Sequence, residues 1–154
     1  TATFRYTDAR IELAGKGLVE KPMTSRFKGV LNLQYATNMN KWVFDFTASL
    51  NGSCRVYDFM KDLKDADGNL LYANGRTPVY PLLYAQVTRK LRGVDLYIGA
   101  ENLTNFKQKP AIIGSEGADG YIDPRNATFD ASAIWGPLMG IKAHIGFRFT
   151  LWKK

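Results

Sequence analysis

Near the end of the chain stands LMGIKAHIGFRFTL, Leu138 to Leu151. Every second residue from Met139 is apolar: Met139, Ile141, Ala143, Ile145, Phe147, Phe149 and Leu151. The residues between them are Leu138, Gly140, Lys142, His144, Gly146, Arg148 and Thr150. Successive side chains of an extended chain point to opposite faces, so this segment predicts a strand with one greasy face and one charged face. A greasy face of that length belongs against a core or against lipid.

The same period of two recurs upstream. Trp42, Phe44, Phe46, Ala48 and Leu50 alternate with Val43, Asp45, Thr47, Ser49 and Asn51. Val94, Leu96, Ile98 and Ala100 alternate with Asp95, Tyr97, Gly99 and Glu101. The runs from Phe27 to Tyr35 and from Leu83 to Thr88 behave alike. TATFRYTDARIEL at the start is weaker. Its apolar parity changes between Phe4/Tyr6 and Ala9/Ile11/Leu13, which marks a bulge or a misplaced boundary. No window carries apolar residues at helical spacing over several turns. The expectation is an all-β chain with six antiparallel strands, near 3–13, 26–37, 42–53, 79–91, 93–103 and 138–151.

Connection lengths sort by side. Asn38–Lys41 and Leu91–Gly93 read as tight hairpin turns, whereas 14–25 is a medium loop, 54–78 is long and 104–137 longer still. With strands alternating in direction, both tight turns fall at one end and all three longer loops at the other. That is the arrangement of an outer-membrane barrel, with short periplasmic turns and long outer loops. Strands of ten to twelve residues approach the length that crosses a bilayer at a tilt. Tyr35, Trp42, Tyr80 and Trp152 lie near strand ends, where interfacial aromatics belong. On this reading the apolar row of the last strand faces lipid, and Lys142, His144 and Arg148 face a wet lumen.

Composition narrows the chemistry. The chain has 154 residues, 45% hydrophobic and 23% charged, with a net charge of +7, which fits one folded domain over 1–154. Its charges are not gathered into a stripe and no nucleic-acid motif is present, so nucleic acid is a poor partner. One cysteine, Cys54, permits no internal disulfide, and one histidine builds no multi-histidine metal site. No catalytic constellation, metal site or cofactor is expected. GSEGADG (Gly114–Gly120) lacks the lysine of a phosphate-binding loop, and DADGN (Asp65–Asn69) lacks the closing acidic residue of a calcium loop. No apolar run is long enough for a transmembrane helix, and no signal peptide is visible. Because the chain begins at Thr1, it reads as a processed or truncated piece. The candidate ligand contacts are aromatics and cations of the long loops: Tyr57, Phe59, Tyr72, Tyr121, Arg76 and Arg125. Aromatic rings there could stack on a ligand, and the cations could draw in an anionic one. Packing between loops and pairing with acidic residues such as Asp95 and Glu101 are the plainer alternatives.

Two segments carry a resemblance. VDLYIGAENLTNFKQKPAI (Val94–Ile112), with GAENLTNF at its centre, resembles the penultimate strand and following loop of TonB-dependent outer-membrane receptors. FDASAIWGPLMGIKAHIGFRF (Phe129–Phe149) looks like the close of the same family, and RFKGVLNLQYATNMNKWVFDFTASLNG fits an earlier hairpin. Together they cover most of 26–151. The resemblance implies a transmembrane antiparallel β-barrel in the outer membrane of a Gram-negative bacterium. This chain would be its C-terminal fragment of about six strands, with long extracellular loops. It implies uptake of a scarce nutrient such as an iron chelate, haem or cobalamin. The implied partners are outer-membrane lipid, the nutrient ligand and a TonB-type energy-coupling protein acting through a plug; a surface lipoprotein is a further candidate. The chain departs from the family in size, since the family barrel has roughly 22 strands around a plug. It also ends beyond Phe149 in Thr150, Leu151, Trp152 and two lysines rather than on an aromatic. The competing expectation is a soluble ligand-binding β-barrel or sandwich, complete in itself.

Overall fold

The computed structural model describes residues 1–64, 67–109 and 131–151. Among them form β1 (Ala2–Tyr6), β2 (Arg10–Leu13), β3 (Gly17–Glu20), β4 (Phe27–Ala36), β5 (Trp42–Asn51), β6 (Tyr80–Leu91), β7 (Val94–Glu101) and β8 (Lys142–Phe149). Every pairing is antiparallel. Six strands make one sheet in the order β1-β4-β5-β6-β7-β8, and β2 with β3 makes a separate hairpin. No α-helix forms among the described residues, so the chain is all-β. The sheet is open: β1 and β8 are its two edges and do not pair with each other.

Two expected strands are shorter than their apolar patterns. The segment 3–13 is two elements. β1 leaves the sheet after Tyr6, where Thr7 N–H donates to the Arg26 carbonyl at 2.7 Å. Arg10–Leu13 then pairs with Gly17–Glu20 across a turn that needs positive φ at Gly15 and Gly17. The parity change between Tyr6 and Ala9 is therefore a boundary, not a bulge. At the other end of the chain the ladder begins at Lys142 rather than Leu138. The approach to β8 is held by side chains instead, with Ile141 N–H donating to Asn105 Oδ1 at 3.3 Å. The 14–25 loop thus contains a strand, and 102 and 103 lie outside β7.

Register lines the apolar residues into rows across the sheet. One row runs Tyr35, Phe44, Val87, Ile98, Ile145 over five strands. The parallel row on the opposite face runs Gln34, Asp45, Gln86, Gly99, His144. The apolar face is exposed: Phe4, Tyr35, Phe44, Ile98, Ile145 and Phe147 all present their side chains outward, Ile145 at 83%. Buried apolar residues collect elsewhere. Val56, Met60, Leu63, Tyr72 and Ala133 form the core cluster, with Met23, Tyr57, Leu71 and Trp135 packed on it. All nine lie in the connections after β3, β5 and β7.

Those long connections share one end of the sheet. The pair Trp42–Arg89 sets the turn between β4 and β5 beside the turn between β6 and β7. The first turn is closed by Thr37 N–H donating to the Trp42 carbonyl at 2.9 Å, with Met39 and Asn40 at positive φ. The second is Arg92-Gly93, with Gly93 at φ 81. The molecule is therefore a two-faced sheet with tight turns at one end and a packed cap of loops at the other.

Candidate functional site

Two regions gather polar chemistry: the cap and the polar face of the sheet. In the cap, two carboxylates are caged by cations from distant segments. Glu20, at the end of β3, accepts from Arg26 Nε and Nη2 at 3.1 and 2.7 Å. It also accepts from Arg76 Nη1 and Nη2 at 2.8 and 2.9 Å. The paired, fork-like geometry is the strong form of this interaction. Arg55 Nη1 adds a bond to the Glu20 carbonyl at 3.1 Å, and its Nη2 reaches Asp58 Oδ1 at 2.7 Å. Asp58 further accepts from Lys16 at 2.6 Å and pairs with Lys61 at 2.7 Å. Hydrogen bonds from Arg76, then from Arg26, hold the Glu20 carboxyl below its ordinary range against the opposing effect of burial. Lys16, then Lys61, hold Asp58 well below its own. The network ties the β2–β3 hairpin to the β5–β6 connection, and five cations around two carboxylates leave it positive.

The candidate aromatics separate in this frame. Tyr57 and Phe59 stack with ring centroids 5.7 Å apart and an interplanar angle of 11°, and Phe59 is 51% exposed. They flank Asp58, with Tyr57 half-buried against the core cluster and Phe59 on the outside of the cap. Tyr72 is buried at 1% exposure, accepting from Trp135 Nε1 at 3.2 Å and donating to the Lys109 carbonyl at 3.4 Å. Burial pushes its hydroxyl pKa up, while the Trp135 bond opposes that shift. Its ring is a packing element of the cap rather than a surface open to a ligand. Arg76 is engaged by Glu20. Tyr121 and Arg125 lie outside the described residues, as do Gly114–Gly120, while Asp65–Asn69 falls only partly within them. Cys54 is buried, its thiol donating to or accepting from Thr77 Oγ1 at 3.4 Å, and burial pushes its pKa up. Among the described residues no cluster of three metal-ligating side chains forms.

On the polar face Lys142, His144 and Arg148 all project from β8. Lys142 lies opposite Glu101 and Arg148 opposite Asp95 by register, yet neither pair closes to 4 Å among the described residues. His144 lies opposite Gly99, and a Cβ there would stand 2.6 Å from its Nε2, so the missing side chain makes room for the ring. Tyr97 lies over Gly146 by the same exchange, its ring 6.3 Å from that of His144. Gln86 Oε1 stands 3.4 Å from His144 Nε2, and Gln34 Nε2 donates to Asp45 Oδ1 at 2.6 Å. Beside them lies a polar hollow of about 370 Å³ lined by Gln34, Asp45, Gln86, Lys90, Asp95 and Arg148 among others. Such a surface holds water and offers donors and acceptors, but it assembles no nucleophile–base pair.

The residues that sequence reasoning left aside are mostly anchors. In GAENLTNF, Asn102 takes φ 51 at the end of β7 and spends its amide on the loop. Its Nδ2 donates to the carbonyls of Phe106 and Met139 at 2.8 and 3.0 Å, and its Oδ1 accepts from Phe106 N–H at 3.1 Å. Gln108, 2% exposed, accepts from Trp135 and Gly136 N–H and donates to the Ala133 carbonyl. Tyr80 and Phe106 stack at 4.5 Å, with Trp135 against both. An Asn directly after an alternating run was the available signal, because its side chain closes local turns. Gln108 and Trp135 carried none, since their partners are far away in sequence. Comparison of the chain with protein-family models, with curated proteins and with solved structures finds no match in any of the three.

Proposed function

We propose that the six-stranded sheet is part of the wall of a transmembrane β-barrel in the outer membrane of a Gram-negative bacterium, in a TonB-dependent receptor for a scarce nutrient. The observation that carries this reading is the inversion of burial. An uninterrupted apolar row crosses five strands on the exposed face, while the packed core lies in loops at one end. In water a face of that extent is an aggregation hazard, and the two open edges add another. In lipid it is the required surface, with polar residues turned to a wet interior. The tight turns then face the periplasm and the cap faces outward.

In this role the segment performs no covalent chemistry. Its polar face, with Lys142, His144 and Arg148, lines the lumen around a plug supplied by other parts of the receptor. The plug is the part a TonB-type protein pulls on, and a surface lipoprotein would meet the receptor at the cap. Exposed Phe59, stacked on the half-buried Tyr57 beside the Glu20 and Asp58 cages, offers an aromatic face and positive potential to an anionic chelate, haem or cobalamin. A soluble ligand-binding β-barrel or sandwich is the rival, and the exposed apolar face counts against it.

Topology is the direct test. Cysteine is introduced at Ala73 in the cap or at Arg92 in the tight turn of the full-length protein, and whole cells are treated with a membrane-impermeant maleimide. Labelling at position 73 alone, with the protein in the outer-membrane fraction, is the expected result. A soluble protein, or equal labelling at both positions in intact cells, would sink the reading. Growth of a deletion strain on iron chelates, haem or cobalamin as sole source then identifies the nutrient.

A further inference from the structure

The apolar face carries one charged side chain among the described strands, and it is not random in place. Arg89 lies between Trp42 on β5 and Leu96 on β7, with Phe147 next in the row. Its guanidinium stands 4.7 Å from the Trp42 ring centroid. No carboxylate pairs with it among the described residues. The nearest strand acid by register, Asp95, projects from the opposite face, across from Lys90 and Arg148. Arg89 also borders a groove of about 500 Å³ walled by Trp42, Val87, Leu96, Ile98 and Phe147. That volume lies in the range of small-molecule sites, and its walls are otherwise apolar.

Depth gives the cation its meaning. Arg89 is two residues from the Leu91–Val94 pair that closes the tight turn, about 7 Å along the strand. A lipid-facing cation is least costly at that level, close to the bilayer surface. Lys41 and Arg92, both exposed, stand in the turns at the same end, and Lys90 N–H donates to the Lys41 carbonyl at 2.9 Å. An apolar groove crowned by an unpaired guanidinium and flanked by further cations matches a ligand with an apolar chain and an anionic head.

We propose that this groove binds one anionic phospholipid of the inner leaflet, an acyl chain lying along Leu96, Ile98 and Phe147 and the phosphate resting on Arg89. The inference rests on the membrane reading above. Trp42 steadies the guanidinium by its cation–π contact and leaves N–H donors for phosphate oxygens.

The test uses the full-length protein in vesicles of phosphatidylcholine and phosphatidylglycerol at matched mole fractions, with bromine on the acyl chains of one lipid or the other. The part of the tryptophan quenching that Trp42→Phe removes reports which lipid lies against the groove. The expected result is about fivefold enrichment of phosphatidylglycerol, the factor that one interfacial arginine contributes. Arg89→Gln should bring the enrichment close to unity while brominated phosphatidylcholine still quenches, which shows that the variant inserts. Equal quenching by both lipids in the unaltered protein overturns the proposal, as does a preference that survives Arg89→Gln. Weak quenching by both lipids together with a crosslinked dimer would mean that a second copy covers the groove, and overturns it. Absence of quenching by either lipid, without a dimer, removes the membrane reading itself and this inference with it.

Discussion

The sheet and the cap treat apolar side chains in opposite ways. In the cap, Val56, Met60, Leu63 and Tyr72 are packed out of contact with solvent, and among the described residues no buried side-chain nitrogen or oxygen lacks a partner. In the sheet, Ile98, Ile145 and Phe147 are of comparable size yet stand exposed. The backbone ladder, not side-chain burial, holds the strands in register. A cap built this way obeys the rules of a water-soluble core. A sheet built this way obeys them only when something apolar covers its outer face. The difference teaches that sheet and cap follow opposite rules of burial, and the membrane proposal rests on that contrast.

The comparison can be broken most forcefully in the cap. Tyr72→Ala removes a fully buried ring and the acceptor of Trp135, and should cost about 3–5 kcal/mol locally. Hydrogen exchange is expected to rise in 53–79 and 102–109 and to stay low in β5 and β6. Equal loss of protection in the strands would show that cap and sheet are one cooperative unit. Next in size is Ile145→Arg, at the middle of β8. In water an 83% exposed position tolerates the change almost silently. Against lipid near the midplane it should cost about 2–4 kcal/mol, read as loss of protease-protected, membrane-inserted protein.

Glu20→Gln sharpens the electrostatic half of the contrast. It keeps the shape of the cage but strips the charge that two guanidinium groups share, and should destabilise the cap by about 1–3 kcal/mol. The pH dependence has a definite sign. The folded carboxyl lies below its ordinary value of 4.5, so its contribution is complete above that value and fades as pH falls through the folded pKa. Limited proteolysis of the cap should therefore accelerate in acid, below about pH 4.5, and the acceleration should be smaller in the variant. Asp58, depressed in the same direction, acts with the same sign. The smallest effect is expected from Lys142→Gln on the polar face of β8, within about 0.5 kcal/mol by denaturant titration. The gap between Ile145→Arg and Lys142→Gln measures how unlike the two faces are.

Much of the sheet was legible in the sequence. The alternation in Trp42–Asn51 and Val94–Glu101 named the strands and their faces, and Asn38–Lys41 and Leu91–Gly93 named the tight turns. Pleating is local, so each strand declares its own two faces before any partner is known. Extents were less legible. Nothing in Leu138–Ile141 announces that Asn105, more than thirty residues earlier, takes over from the ladder. The candidate site was read least well. Tyr57 and Phe59 could be singled out as loop aromatics, but so could Tyr72, which turned inward.

What the sequence by itself determined was the class of structure: antiparallel strands, two unlike faces, and long connections gathered at one end. The tertiary structure decided what those connections do. Glu20 meets Arg76 across 56 residues, and Tyr72 meets Trp135 across 63. Gly99 makes room for His144 on a strand that follows the longest connection. Such pairings have no period, because they depend on where loop closure brings distant segments together. The same holds for Arg89. Its position in the chain shows a cation at the end of a strand, and only the register shows it alone on an apolar face beside Trp42.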